Sequence, residues 1–143
     1  MGIFLDTSFY LGLCHPKDKY AELSLKVLTE ISEGEYGLLY TSNLIISEIT
    51  TLVAVRTNNN IRALNYLEKL LWGDDKLAII LHFPPELEKK AWSLFKKINT
   101  ETLKNKKPIS FVDISTIILC QYHHIEYIAS FDSHFDKFLN RIH

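Results

Sequence analysis

The chain alternates between two rhythms. Short, nearly continuous apolar runs occur at residues 3–5, 38–41, 77–81 and 127–129, the length and composition of buried strands. Between them apolar residues recur every three or four positions, the spacing of helices with one buried face. The second of these helices is expected over about 20–33, with Leu25, Leu28 and Ile31 on its inner stripe, and Gly34 and Gly37 bracketing the turn that follows. Asn43 is placed to cap a helix running to about Arg56.

After Asn58, Asn59 and Asn60 a further helix is expected over 61–72, with Leu64, Leu67 and Leu71 in register. Pro84 and Pro85 open another, with Leu87, Ala91, Leu94 and Phe95 turned inward and lysines outward, before a polar loop over 99–108. Strands that alternate with helices imply right-handed crossovers and a parallel sheet. The fold class is therefore α/β: a three-layer α/β/α sandwich with a short, mostly parallel sheet of four to five strands. The 143 residues, 47% of them apolar, suit one domain spanning 1–143 with no internal repeat.

Charge and cysteine content narrow the classes. Cys14 and Cys120 lie in apolar helical patterns outside any zinc-ligand spacing, so both read as buried thiols. The N-terminus has no basic region and carries Asp6 where a signal peptide would be apolar, and no apolar run approaches the ~18 residues of a membrane span. A cytoplasmic protein with no membrane partner is expected. The net charge of −1 argues against a strongly basic nucleic-acid module. Yet if four of the 17 acids are gathered into one site, 13 remain against 16 bases, a mildly cationic rim suited to an anionic polymer.

Those four acids are Asp6, Glu48, Asp113 and Asp132. Asp6 and Asp132 close apolar runs, at the strand ends where parallel sheets bind ligands. Glu48 shares a helical stripe with Leu44 and Leu52, and Asp113 interrupts another apolar segment. A buried carboxylate without a partner is costly, so it pairs, binds a metal or takes up a proton. Each acid also has a plainer reading: Asp6 and Asp132 as N-caps, Ser110 with Asp113 as a capping box, Glu48 edging into solvent. Four together in one α/β sheet favour a shared site.

The pieces IFLDTS, IISEI, SFVDIS and SFDSHF, in that order, resemble the motifs of the PIN-domain ribonucleases over most of the chain. The resemblance implies that Asp6, Glu48, Asp113 and Asp132 are metal-binding catalytic acids, and that Thr7, Ser110 and Ser130 supply hydroxyls that orient them. A chain of this size is most similar to the VapC-type toxins of toxin–antitoxin pairs, which implies an RNA substrate, a homodimer and a cognate antitoxin whose tail occupies the acidic groove. The chain departs from the pattern at its end, where Arg141, Ile142 and His143 leave room for only a rudimentary fifth strand. Clustered carboxylates suit Mg²⁺ or Mn²⁺ better than zinc, and metal-assisted hydrolysis leaves a 5′-phosphate and a 3′-hydroxyl.

Other polar residues read more simply. Asp136 is expected on a solvated face, His123 and His124 at a helix C-terminus, and His134 at the rim at most. Lys104, Lys106 and Lys107, with Arg56 or Arg62, could meet phosphates, although a solvated loop is the simpler reading. A haloacid-dehalogenase-type phosphatase would need a second Asp where Ser8 stands, and a receiver domain would need a phosphoacceptor that LAIILHF lacks. A non-catalytic PIN-like binding module is the serious alternative, with a housekeeping RNA-processing nuclease beside it.

Overall fold

The computed structural model describes residues 1–101 and 106–143. Its five strands are β1 (Gly2–Leu5), β2 (Leu38–Ser42), β3 (Ile79–Leu81), β4 (Tyr127–Ala129) and β5 (Asn140–Ile142). All pair in parallel, in the order β3-β2-β1-β4-β5. The six helices are α1 (Thr7–Cys14), α2 (Ala21–Ser32), α3 (Asn43–Arg56), α4 (Ile61–Trp72), α5 (Glu88–Glu101) and α6 (Phe111–Tyr122). This is the expected α/β/α sandwich.

Strand β1 lies at the centre and is buried along its whole length, which is why its sequence is continuously apolar rather than alternating. Strand β5 is the short fifth strand at the edge. Its sequence, Asn-Arg-Ile, carries little apolar signal: only Ile142 packs against the core, and the strand joins the sheet by backbone pairing, Tyr127 opposite Asn140 through Ala129 opposite Ile142.

Three local expectations are corrected. In α2 the inward stripe is Ser24, Val27 and Ile31, whereas Leu25 is 57% exposed. The cause is the close approach of α1: a Cβ built on Gly12 would stand 1.9 Å from Ser24 Oγ, so a glycine and a serine meet where two larger residues could not. At the start of α3 the cap is Ser42, whose hydroxyl accepts from the Ile45 amide at 3.2 Å. Asn43 is already helical, and its side-chain oxygen accepts instead from the Phe83 amide beyond β3, at 2.9 Å. Helix α5 continues to Glu101, through the first residues of the expected loop, and Asn99 grips Ile109 by accepting from its amide and donating to its carbonyl. Lys104 lies outside the described residues.

Candidate active site

Strand order reverses between β1 and β4, since the chain runs outward from β1 through β2 and β3 on one side and through β4 and β5 on the other. The tips of strands at such a point form a crevice. Here the tips are tied together, because the Asp6 amide donates to the Ala129 carbonyl at 3.1 Å.

Asp6 occupies the N-cap position of α1, yet its side chain makes no capping bond. Its carboxylate is 1% exposed and turned instead toward β4. Oδ2 accepts from the Ser130 hydroxyl at 2.7 Å and from the Ser8 hydroxyl at 3.1 Å. These two hydroxyls accept in turn from the amides that follow β4, Ser130 from Asp132 at 3.1 Å and Ser8 from Phe131 at 3.0 Å. The serine pair thus fastens the carboxylate and the β4 turn into one unit. Oδ1 is buried with no partner, an unusual arrangement for so polar an atom.

The electrostatics agree with that geometry. Burial, then the negative charge of Asp113, pushes the Asp6 carboxyl up to about 7; Asp132 adds to the rise, and the Ser130 hydroxyl and the Thr7 amide oppose it. Asp113 and Asp132 therefore act on Asp6 directly. Asp132, like Asp6, stands at an N-cap position without a side-chain capping bond, and it is exposed.

Glu48 reaches the site through Thr7. The Thr7 hydroxyl, on a residue only 5% exposed, donates to Glu48 Oε1 at 2.6 Å. The buried stripe of α3 is Ile45, Ile49 and Val53, so Glu48 sits with Leu44 and Leu52 on the half-buried flank rather than on the inner face. That position leaves the carboxylate half-buried against α1, where it meets Thr7 without full desolvation.

Ser110 caps α6 by accepting from the Asp113 amide at 3.1 Å, so it orients Asp113 through the backbone. The carboxylate of Asp113 does not complete a capping box. It lies 2.9 Å from Nε2 of His134, in the turn Ser133–Phe135. Asp113 raises the His134 pKa most strongly, burial opposes this, and the charges of Asp132 and Asp6 add to the rise. His134 is therefore part of the cluster and not merely its rim. Its signal in the sequence was its place two residues after Asp132; that of Ser8 was its place two residues after Asp6.

Among the described residues, no three His, Cys, Asp or Glu side chains form a ready-made metal cage. Glu48 is engaged by Thr7 and Asp113 by His134. Asp113 and Asp132 lie near enough to Asp6 for their charges to act on it, and carboxylate donors of this kind suit a hard divalent cation. Asp136 stands apart, held by Arg141 through contacts of 2.8 and 3.3 Å that keep its carboxyl below the usual range. His123 is the C-cap of α6, as expected. Arg56 and Arg62 line a cavity beyond the far end of α3 and do not join Lys106 and Lys107, which border His134.

No protein-family profile and no curated protein sequence matches the chain. Solved structures do. VapC20 of Mycobacterium tuberculosis, described as a sarcin–ricin loop cleaving toxin, is 21% identical over 94% of this chain and 93% of its own, with a TM-score of 0.75. FitAcB of Neisseria gonorrhoeae is 19% identical over 99% of this chain and 96% of its own, at 0.65. VapBC2 of Rickettsia felis, solved bound to a DNA fragment from the promoter, is 11% identical over 99% and 98%, at 0.63. Among the described residues no helix is long and apolar enough to cross a membrane. What the chain shares with these structures is architecture: a single-domain, PIN-like α/β/α fold built on a five-stranded parallel sheet.

Proposed function

We propose that the chain is a divalent-metal-dependent endoribonuclease and the toxin of a toxin–antitoxin pair. One observation carries this reading: the buried Asp6 carboxylate, at the switch point of a parallel sheet, keeps one oxygen unpartnered while the charges of Asp113 and Asp132 press on it. Burial of that kind is unfavourable for the charged form unless a cation or a proton compensates it. Asp6, Glu48, Asp113 and Asp132 are assigned as the groups that hold Mg²⁺ or Mn²⁺. The ion would supply charge neutralisation at a scissile phosphate and a more acidic water.

The chain's own residues prepare that chemistry. Ser8 and Ser130 fix Asp6 against the β4 turn, Thr7 fixes Glu48, and Ser110 fixes the first turn of α6. Hydrolysis at such a site releases a 5′-phosphate and a 3′-hydroxyl. The toxin assignment is supported by the architecture shared with VapC20, VapBC2 and FitAcB, and it brings an RNA substrate, a homodimer, a cognate antitoxin and a cytoplasmic site of action as parts of the same proposal.

A second reading, a non-catalytic binding module, is favoured by the lack of a preassembled metal cage among the described residues. The two separate in one assay: purified protein with an end-labelled structured RNA, with Mg²⁺ or Mn²⁺, with chelator, and with Asp6→Asn and Asp113→Asn as controls. The nuclease requires metal-dependent cutting that both variants lose. RNA binding without cutting under any condition would support the module instead.

A further inference from the structure

Beside His134 lies a surface cleft of about 730 Å³. Its walls include Lys106, Lys107 and Lys137, with Ile109 and Phe138 as an apolar side and Glu101 as its acid. His134 belongs to both regions, since it lines the cavity and touches Asp113 at 2.9 Å. Cationic and carboxylate surfaces therefore adjoin across a single side chain.

The placement of the lysines rests on a defined frame. Asn99 of α5 binds the backbone of Ile109 in both directions, at 2.9 and 3.0 Å, immediately before the cap Ser110 of the helix that bears Asp113. Lys106 and Lys107 precede that clamp, and Lys137 approaches from the turn after His134. Among the described residues, none of the three lysines has a carboxylate within ion-pair distance; the ion pairs found are His134 with Asp113 and Arg141 with Asp136.

We propose that this cavity is the subsite for the nucleotide next to the scissile phosphate, with Lys106, Lys107 and Lys137 holding the flanking phosphate and Ile109 and Phe138 packing against the sugar and base. The inference rests on the nuclease reading and extends it to how the strand is held. Acidic ligands alone repel an RNA backbone; a cationic wall beside them draws the strand in and fixes its register. Lysines, as mobile point charges, suit phosphates irrespective of sequence.

The test uses a labelled single-stranded oligoribonucleotide, bound in the presence of chelator and cleaved with Mg²⁺, with wild type and Lys106→Ala/Lys107→Ala/Lys137→Ala. A control removes three exposed lysines of α5 instead, Lys89→Ala/Lys90→Ala/Lys96→Ala. Each phosphate contact on a single strand adds about 0.7 to the slope of log affinity against log salt, so the subsite variant, which no longer holds the one flanking phosphate, should lose about 0.7 from that slope. Its KM should rise roughly tenfold with little change in kcat, while the control stays close to wild type. An unchanged slope and KM in a cleaving protein overturns the subsite alone, as does an equal loss in the control. Absence of cleavage by wild type overturns the underlying nuclease reading.

Discussion

Replacing Asp6 by Asn should stabilise the cation-free protein at pH 8. The carboxyl rises from its ordinary 3.8 to about 7, chiefly because it is buried. A carboxyl that holds its proton more tightly folded than unfolded favours the fold while protonated. That stability is complete below about pH 4 and is lost as pH rises through 7. At about 1.36 kcal/mol per pH unit the whole loss is about 4 kcal/mol, of which about 3 falls between pH 5 and pH 8. Asn keeps the shape without the charge, and the Ser8 and Ser130 hydroxyls can rotate to serve it. Urea denaturation with chelator at both pH values should therefore find wild type losing about 3 kcal/mol relative to Asp6→Asn over that range. Saturating Mg²⁺ should restore wild type at pH 8 and leave the variant unmoved. Parallel stability profiles for the two proteins would refute the reasoning.

Other substitutions probe the supports. Thr7→Val removes the donor to Glu48 and should lower metal-dependent cleavage roughly tenfold to a hundredfold, with Thr7→Ser retaining most activity in the same assay. Ser130→Ala removes the hydrogen bond that opposes the rise of the Asp6 carboxyl, so the acid limb of the cleavage–pH profile should move to higher pH. Gly12→Ala should cost about 1–3 kcal/mol by overpacking, since its Cβ would meet Ser24 Oγ at 1.9 Å and Ser24 Cβ at 2.9 Å. In thermal melts that cost should fall when Ser24→Gly is added.

Much of this arrangement was legible from residue patterns. The central strand announced itself because burial on both faces demands a continuous apolar run, and the acid at its tip was visible for the same reason. Helix Ile61–Trp72 was legible to its ends because Asn60 caps it locally, accepting from the Ala63 amide. Features set by distant partners were not. Ser42 and Asn43 are both good caps, and the choice between them is made by Phe83, 40 residues away. Hydrophobicity favoured Leu25 over Ser24 in α2, but the approach of Gly12 reverses the preference. The contact between His134 and Asp113 depends on the packing of the β4 turn against α6, which spacing along the chain does not encode. A polar edge strand such as β5 leaves almost no signal at all.

Calorimetric titration of Mn²⁺ into wild type and Asp6→Asn at pH 6, repeated in buffers of different ionisation enthalpy, tests the central claim most directly. Asp6 is mostly protonated at that pH if its carboxyl lies near 7, so wild type should bind the ion and release close to one proton, whereas the variant should bind far more weakly and release none. Equal binding by both proteins, or no binding by wild type, would contradict a cation site built on Asp6.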